Sequence, residues 1–260
     1  MHHPQAPSRN SVAQAAADIL MRLRARAPRI HCITNAVAQN FTANVLLAAG
    51  AVPSMTLSPE EIGPFVASAQ GLLVNLGTFD RERRQATMIA IDSAAAHKLP
   101  WVLDPVFVDR IPPRAAFARE LIGRGPTVLR LNHAEFSALS GEAPSRDAAV
   151  AFARTSGVVV ALSGETDLVT DGERIAAISN GHPLMAKVTA MGCAGSALVA
   201  ACLSIEPDAF QATSAALLII GVAGEIAAEK SAGPGSFAAT IIDTLYGLDS
   251  AALVARAKVS

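Results

Sequence analysis

Lys187–Leu203, KVTAMGCAGSALVAACL, is a small-residue turn that runs directly into an apolar helical stretch. Gly192, Cys193, Ala194, Gly195 and Ser196 leave little side chain over the backbone, so several N–H groups and a helix start converge on one point. Unpaired amides and the positive end of the helix dipole make such a point an anion site. The same field predicts a lowered pKa for the Cys193 thiol, and hence a reactive thiolate. A phosphate site beside a reactive side chain points to phosphoryl transfer. The competing reading is a common small-residue helix start with a buried, inert cysteine.

Upstream of this turn, apolar runs of strand length alternate with longer helical patterns. Ile30–Ile33, Val52–Met55, Leu72–Leu76, Trp101–Leu103, Val128–Leu131 and Val158–Leu162 read as strands. A helix capped by Ser11 and running to about Ala27 reads as the first, followed by Thr42–Ala49, Asp80–His97, Pro113–Gly123, Ala134–Ser140 and Arg146–Thr155. Ser58-Pro59-Glu60-Glu61 has Pro in the first position and acids in the first turn, as a helix start does. Asp171-Gly172 between Leu168–Thr170 and Arg174–Ser179 predicts a hairpin. From Cys193 onward the chain reads as helical, with a break at Gly233-Pro234-Gly235. The alternation predicts an α/β fold of three layers, a mostly parallel central sheet with helices on both faces. No repeat or linker interrupts it, so residues 1–260 are expected as a single domain. The first ten, MHHPQAPSRN, are expected as a flexible tail.

Composition narrows the function. The 260 residues carry a net charge of −1, which gives no electrostatic attraction to nucleic acid or to a membrane surface. Aromatic residues make up 4%, too few for a base-stacking platform. Apolar runs such as Ala215–Val222 are too short to span a bilayer. The three cysteines, Cys32, Cys193 and Cys202, have neither metal-ligand spacing nor an even-numbered disulfide framework, which suits a reducing, cytoplasmic compartment. Cys32 and its neighbour His31 fall on a strand and are expected to be structural.

In open parallel sheets the ligand lies beyond the carboxyl ends of the strands. Asn35, Asp104, Asn132, Glu135, Ser163 and Cys193 all fall there. Asp104 is placed to meet Mg²⁺, directly or through water. Asn132-x-x-Glu135 puts two polar groups on one face of a helical turn. Mg²⁺ is satisfied by one or two carboxylates with waters and phosphate oxygens. The same patterns also fit a plain helix cap with a solvated Glu135 and a simple turn at Asp104-Pro105.

Longer motifs extend these points. His182-Pro183-Leu184-Met185 before KVTAMGC, ALSGETDLVTDGER at Ala161–Arg174, CITNAVAQNFTANVLLAAGAVPSM at Cys32–Met55, VLDPV at Val102–Val106 and RLNHAE at Arg130–Glu135 keep one order and spacing. Together they resemble the hydroxyethylthiazole kinases of the ribokinase-like superfamily. The resemblance implies a ribokinase-like fold and ATP-dependent phosphorylation of the primary alcohol of 4-methyl-5-(2-hydroxyethyl)thiazole, in thiamine salvage. It implies MgATP, with Arg130 and Ser163 binding ATP and Asp104 and Glu135 holding Mg²⁺. It assigns Asn35, Met55, Ala190 and Gly192 to the thiazole alcohol. Cys193 stands where ribokinase-like enzymes generally carry an aspartate base. A homotrimer with the pocket between neighbouring subunits is also implied. The sequence departs from the family pattern at Ala190 and Met191 in the turn, at Leu131 and His133-Ala134, and at Phe107. Phe107 replaces a small residue and is expected to narrow the phosphate approach or to repack beneath it. These departures keep two alternatives open: a kinase of another small hydroxylated heterocycle, and a binding protein that has lost turnover. Retention of Asp104, Arg130, Asn132, Glu135 and Cys193 argues against the second.

Overall fold

A computed structural model describes residues 6–260. Its first half runs α1 (Arg9–Arg26), β1 (Arg29–Ile33), α2 (Gln39–Ala49), β2 (Val52–Ser54), α3 (Ile62–Ala67), β3 (Gly71–Asn75), α4 (Arg81–Ala96), β4 (Trp101–Asp104), α5 (Pro112–Ile122) and β5 (Val128–Asn132). It continues through α6 (His133–Ser140), α7 (Arg146–Ser156), β6 (Val159–Ser163), β7 (Asp167–Thr170) and β8 (Ile175–Ile178). A 3₁₀ turn at Pro183–Lys187 leads to α8 (Met191–Leu203), α9 (Ala209–Glu229), α10 (Pro234–Gly247) and α11 (Ser250–Arg256).

The strands form one sheet in the order β2-β1-β3-β4-β5-β6-β7-β8. β1 to β6 are all parallel, and β7 and β8 close one end as the expected antiparallel hairpin. Side chains alternate between the two faces of a strand, and here each face meets its own helical layer. Ile30, Cys32, Leu73, Val102, Val128, Val159 and Ala161 pack on the side of α1, α2, α8 and α9. Ile33, Leu72, Val74, Leu103, Leu129, Leu131 and Leu162 pack on the side of α3 to α7. Burial on both faces is why these strands read as nearly continuous apolar runs, interrupted by His31 in β1 and Arg130 in β5. Leu131, which stands where the family pattern has glycine, is one of these side chains and is 2% exposed.

α9 is long and apolar enough to cross a membrane by length and composition, but 78% of its apolar window is buried inside the molecule. It is the central helix of its layer, packed against α1, α8 and α10. At the sheet ends, β2 is three residues long and contains Pro53. The outer side of β8 is met by the chain's last residues, with Val259 bridging antiparallel to Ile178.

Several boundaries differ from the sequence reading. The cap of α1 is Ser8, whose Oγ accepts from Ser11 N–H at 3.2 Å, while Ser11 lies in the first turn and donates its own hydroxyl to Ser8 O at 2.8 Å. Arg9 and Asn10 are therefore helix rather than tail, and residues 1–5 of the expected tail lie outside the described residues. Ser58–Glu61 makes a turn, because Glu61 is drawn back to Thr56 Oγ1 at 2.9 Å; regular helix begins at Ile62. α8 starts at Met191, two residues before Cys193.

Candidate active site

Strand ends gather the polar residues. Asn75 and Asp104 are the last residues of β3 and β4 and face each other in register. Asn132 and Ser163 do the same on β5 and β6. Asp104 is 5% exposed, and its Oδ2 accepts from Asn75 Nδ2 at 2.7 Å and from Ser196 Oγ at 2.8 Å. Arg130 donates to Gly192 O at 2.8 Å and to Ser196 Oγ at 3.2 Å. Burial pushes the Asp104 carboxyl above its ordinary range, opposed by the Arg130 charge and by the hydrogen bonds from Ser196 and Asn75.

Glu135 closes a capping box on α6. Its Oε2 accepts from Asn132 N–H at 2.9 Å, and Asn132 Oδ1 accepts from Glu135 N–H at 3.0 Å. The cap is real, but Glu135 is 5% exposed rather than solvated. Its Oε1 reaches across to the N–H of Phe107 at 3.1 Å, tying α6 to the loop after β4. Burial raises its pKa, and the charge of Asp104 adds to the rise.

Cys193 lies in the first turn of α8. Its Sγ accepts from Asn35 Nδ2 at 3.2 Å and from Asn75 Nδ2 at 3.3 Å. The expected thiolate does not form. Burial, with the charge of Asp104 behind it, pushes the thiol up to about 11. A helix terminus contributes only about 0.3–1 kcal/mol, less than one pKa unit at about 1.4 kcal/mol each. Asn75 is the residue that sequence reasoning missed. Its single amide nitrogen joins Asp104 to Cys193, while its Oδ1 accepts from Gly77 N–H at 2.9 Å. The rule that placed the other residues at strand ends applies equally to Asn75.

Asn35 Oδ1 is buried without a partner among the described residues. Met55 follows the edge strand β2, beside β1, and is partly buried against the α2–α8 layer. His31 holds both neighbours of Met55, with Nδ1 at 2.8 Å from Ser54 Oγ and Nε2 at 3.1 Å from Thr56 O.

On the other flank of Arg130 opens a cavity of about 610 Å³. Ser163, Asp167, Asn180, Gly181 and Gly192 line it with Arg130. The Ser163 hydroxyl and the Arg130 Nε are buried there with no partner among the described residues. Asp167 holds the loop by accepting from Gly164 N–H at 3.0 Å. The start of α8 borders the same cavity. Its cap is Ala190, in a left-handed conformation (φ 74°) and with no side-chain acceptor. Met191 N–H donates to Val188 O at 3.4 Å, while the Gly192 and Cys193 amides take no partner among the described residues and are available to a ligand. Ala190 thus stands at the positive φ where an L side chain is strained. Phe107 does not repack beneath the site. It sits at φ 63°, is 46% exposed, and carries the guanidinium groups of Arg110 and Arg114 at 5.4 and 5.9 Å from its ring centroid. A second, more open groove of about 710 Å³ contains none of the expected residues.

Comparison with known proteins adds four findings. A model of the hydroxyethylthiazole kinase family matches residues 20–251. A hydroxyethylthiazole kinase from Cronobacter sakazakii is 45% identical over 89% of this chain and 92% of its own. The structure of a hydroxyethylthiazole kinase protein from Pyrococcus horikoshii superposes with a TM-score of 0.91 at 36% identity, covering 94% of this chain and 98% of its own. A ribokinase-like superfamily protein from Enterococcus faecalis, 12% identical, shares the fold with a TM-score of 0.70 over 95% of this chain and 96% of its own.

Proposed function

Because the chain belongs to the hydroxyethylthiazole kinase family, we propose that it transfers the γ-phosphoryl group of ATP to the primary alcohol of 4-methyl-5-(2-hydroxyethyl)thiazole, a step in thiamine salvage. The observation that carries this reading is the uncapped start of α8. It stands between a cavity holding an orphaned hydroxyl and a guanidinium, and a thiol joined through Asn75 to a buried carboxylate.

Phosphoryl transfer asks the protein for positioning and for neutralisation of charge. Arg130 and Ser163 bind the nucleotide from the cavity side, and the amides of Gly192 and Cys193 face the group in transfer. Asn35, with its free Oδ1, and Met55 receive the thiazole, Asn35 by hydrogen bonding and Met55 by packing a thioether on the ring. The alcohol proton is lost late in a loose transition state, so a positioned acceptor matters more than a strong base. Cys193 Sγ, held by two amides, orients the hydroxyl as a hydrogen-bond acceptor only; the proton itself leaves late, to an oxygen of the phosphoryl group in transfer.

A divalent cation fits the carboxylates. Asp104 Oδ1 takes no hydrogen bond among the described residues, and Asp104 and Glu135 are two buried carboxyls with raised proton affinity. Asp104 and Glu135 would hold Mg²⁺, which supplies charge neutralisation to the ATP phosphates. We place the enzyme in the cytoplasm as a homotrimer.

The test is incubation with ATP, Mg²⁺ and the thiazole alcohol, followed by mass spectrometry. Equal amounts of thiazole phosphate and ADP are expected, with a higher Mg²⁺ requirement in Glu135→Gln. ADP without thiazole phosphate would sink the substrate assignment.

A further inference from the structure

Between Ala209 and Ala228, α9 has a single ionisable side chain, Glu225. Gly224 and Glu225 lie three and four residues beyond Gly221, so both neighbour it on one side of the helix. That side presses on the chain segment that walls the 610 Å³ cavity. A Cβ on Gly221 would come within 2.6 Å of Asn180 O, and one on Gly224 within 2.5 Å of Met185 Sδ. Glycine permits the contact, and Glu225 bonds what the contact brings near.

The Oε1 of Glu225 accepts three hydrogen bonds, from Gly181 N–H at 3.2 Å, Asn180 Nδ2 at 3.1 Å and Lys258 Nζ at 2.9 Å. Asn180, 7% exposed, also donates to Arg256 O at 2.9 Å and accepts from Lys258 N–H at 2.7 Å through its Oδ1. Ser179 N–H then donates to Lys258 O at 2.9 Å. The Asn180–Gly181 wall is therefore bonded on its far side to α9 and to residues 256–260, while its near side lines the cavity.

We propose that Glu225 is a positioning residue for the nucleotide: with the strap 256–260 it fixes the Asn180–Gly181 wall against which ATP binds. This rests on the reading of that cavity as the ATP site. The function of Glu225 is reach rather than charge, because two of its three donors are neutral amides on the wall itself.

Calorimetric titration of the full-length protein with MgATP, without thiazole, tests it. Glu225→Ala should weaken ATP binding about tenfold, a typical consequence of losing hydrogen bonds at a buried site. KM for ATP should rise in parallel, while kcat and KM for the thiazole alcohol stay within about twofold. Glu225→Asp keeps the charge but withdraws the oxygens by one methylene, and should behave like Ala. Glu225→Gln keeps the reach and should bind ATP like the wild type. Wild-type ATP affinity in both Glu225→Ala and Glu225→Asp overturns the inference. So does an equal rise in both KM values, which marks general destabilisation. Failure of the wild type to bind ATP overturns the reading of the cavity, and the inference with it.

Discussion

Held between two carboxamides and beside a buried carboxylate, the Cys193 thiol keeps its proton throughout the neutral range. Its pKa of about 11 lies above any working pH. kcat should therefore show no ionisation of Cys193 between about pH 6 and 9, and Cys193→Ser should retain most activity. Cys193→Ala removes the hydrogen bond that orients the alcohol and should lower kcat about tenfold with little change in KM. An inflection below about pH 9 that disappears in Cys193→Ser would restore the thiolate. Phe107 offers a second test at this scale. Its left-handed backbone costs a non-glycine residue roughly 1–2 kcal/mol, and its ring is half out in solvent. Phe107→Gly keeps the N–H that Glu135 uses and should raise the denaturant midpoint by about 1 kcal/mol of stability. A lower midpoint would mean that the stacking of Arg110 and Arg114 on the ring outweighs the strain.

At the scale of elements, His31 joins β1 to the end of β2. The ring is fully buried, and burial lowers its pKa to about 4. Released from the fold it titrates near 6.5. Between these values the unfolded chain binds a proton that the folded chain does not, so stability falls as pH drops through that window and is complete above about 6.5. The effect amounts to at most about 3 kcal/mol. Asp104, Glu135 and Asp167 have raised pKa values and act with the opposite sign, so the measurement is a difference. Urea midpoints of His31→Gln should depend less steeply on pH between about 4 and 6.5 than those of the wild type; parallel curves would refute this. The strands were legible because a parallel strand buried on both faces is a nearly continuous apolar run, and Val158–Leu162, short and rich in β-branched residues, favours strand over buried helix. Caps were less so: Ser8 and Ser11 are both suitable, and only the backbone direction before Arg9 selects Ser8. The line of strand-end residues was legible from topology, yet Asn75 was passed over because an Asn closing an apolar strand also reads as an ordinary turn. The Cys193 pKa was illegible for a different reason, since helix position is local and burial is not.

Across the whole molecule, the described surface exposes Val37 at 76%, Leu47 at 55%, Val52 at 45% and Phe65 at 42%. Asn35 and Met55 fall in the loop after β1 and directly after β2, and these exposed residues lie on α2, β2, α3 and that same loop. Covering them with a neighbouring copy is what the proposed trimer requires. Light scattering should give three chain masses at micromolar concentration, and Leu47→Glu should reduce the mass and raise KM for the thiazole alcohol. A stable wild-type monomer would defeat the shared pocket. The two ends of the sheet govern how such copies can meet. β2 is three residues long and lacks a donor at Pro53, and the outer side of β8 is occupied by Val259. Neither border offers a long row of free amides and carbonyls for a foreign strand to copy. Growth by backbone templating, the route to ribbons and fibrils, is disfavoured at both borders, which leaves side-chain surfaces as the means by which copies would meet.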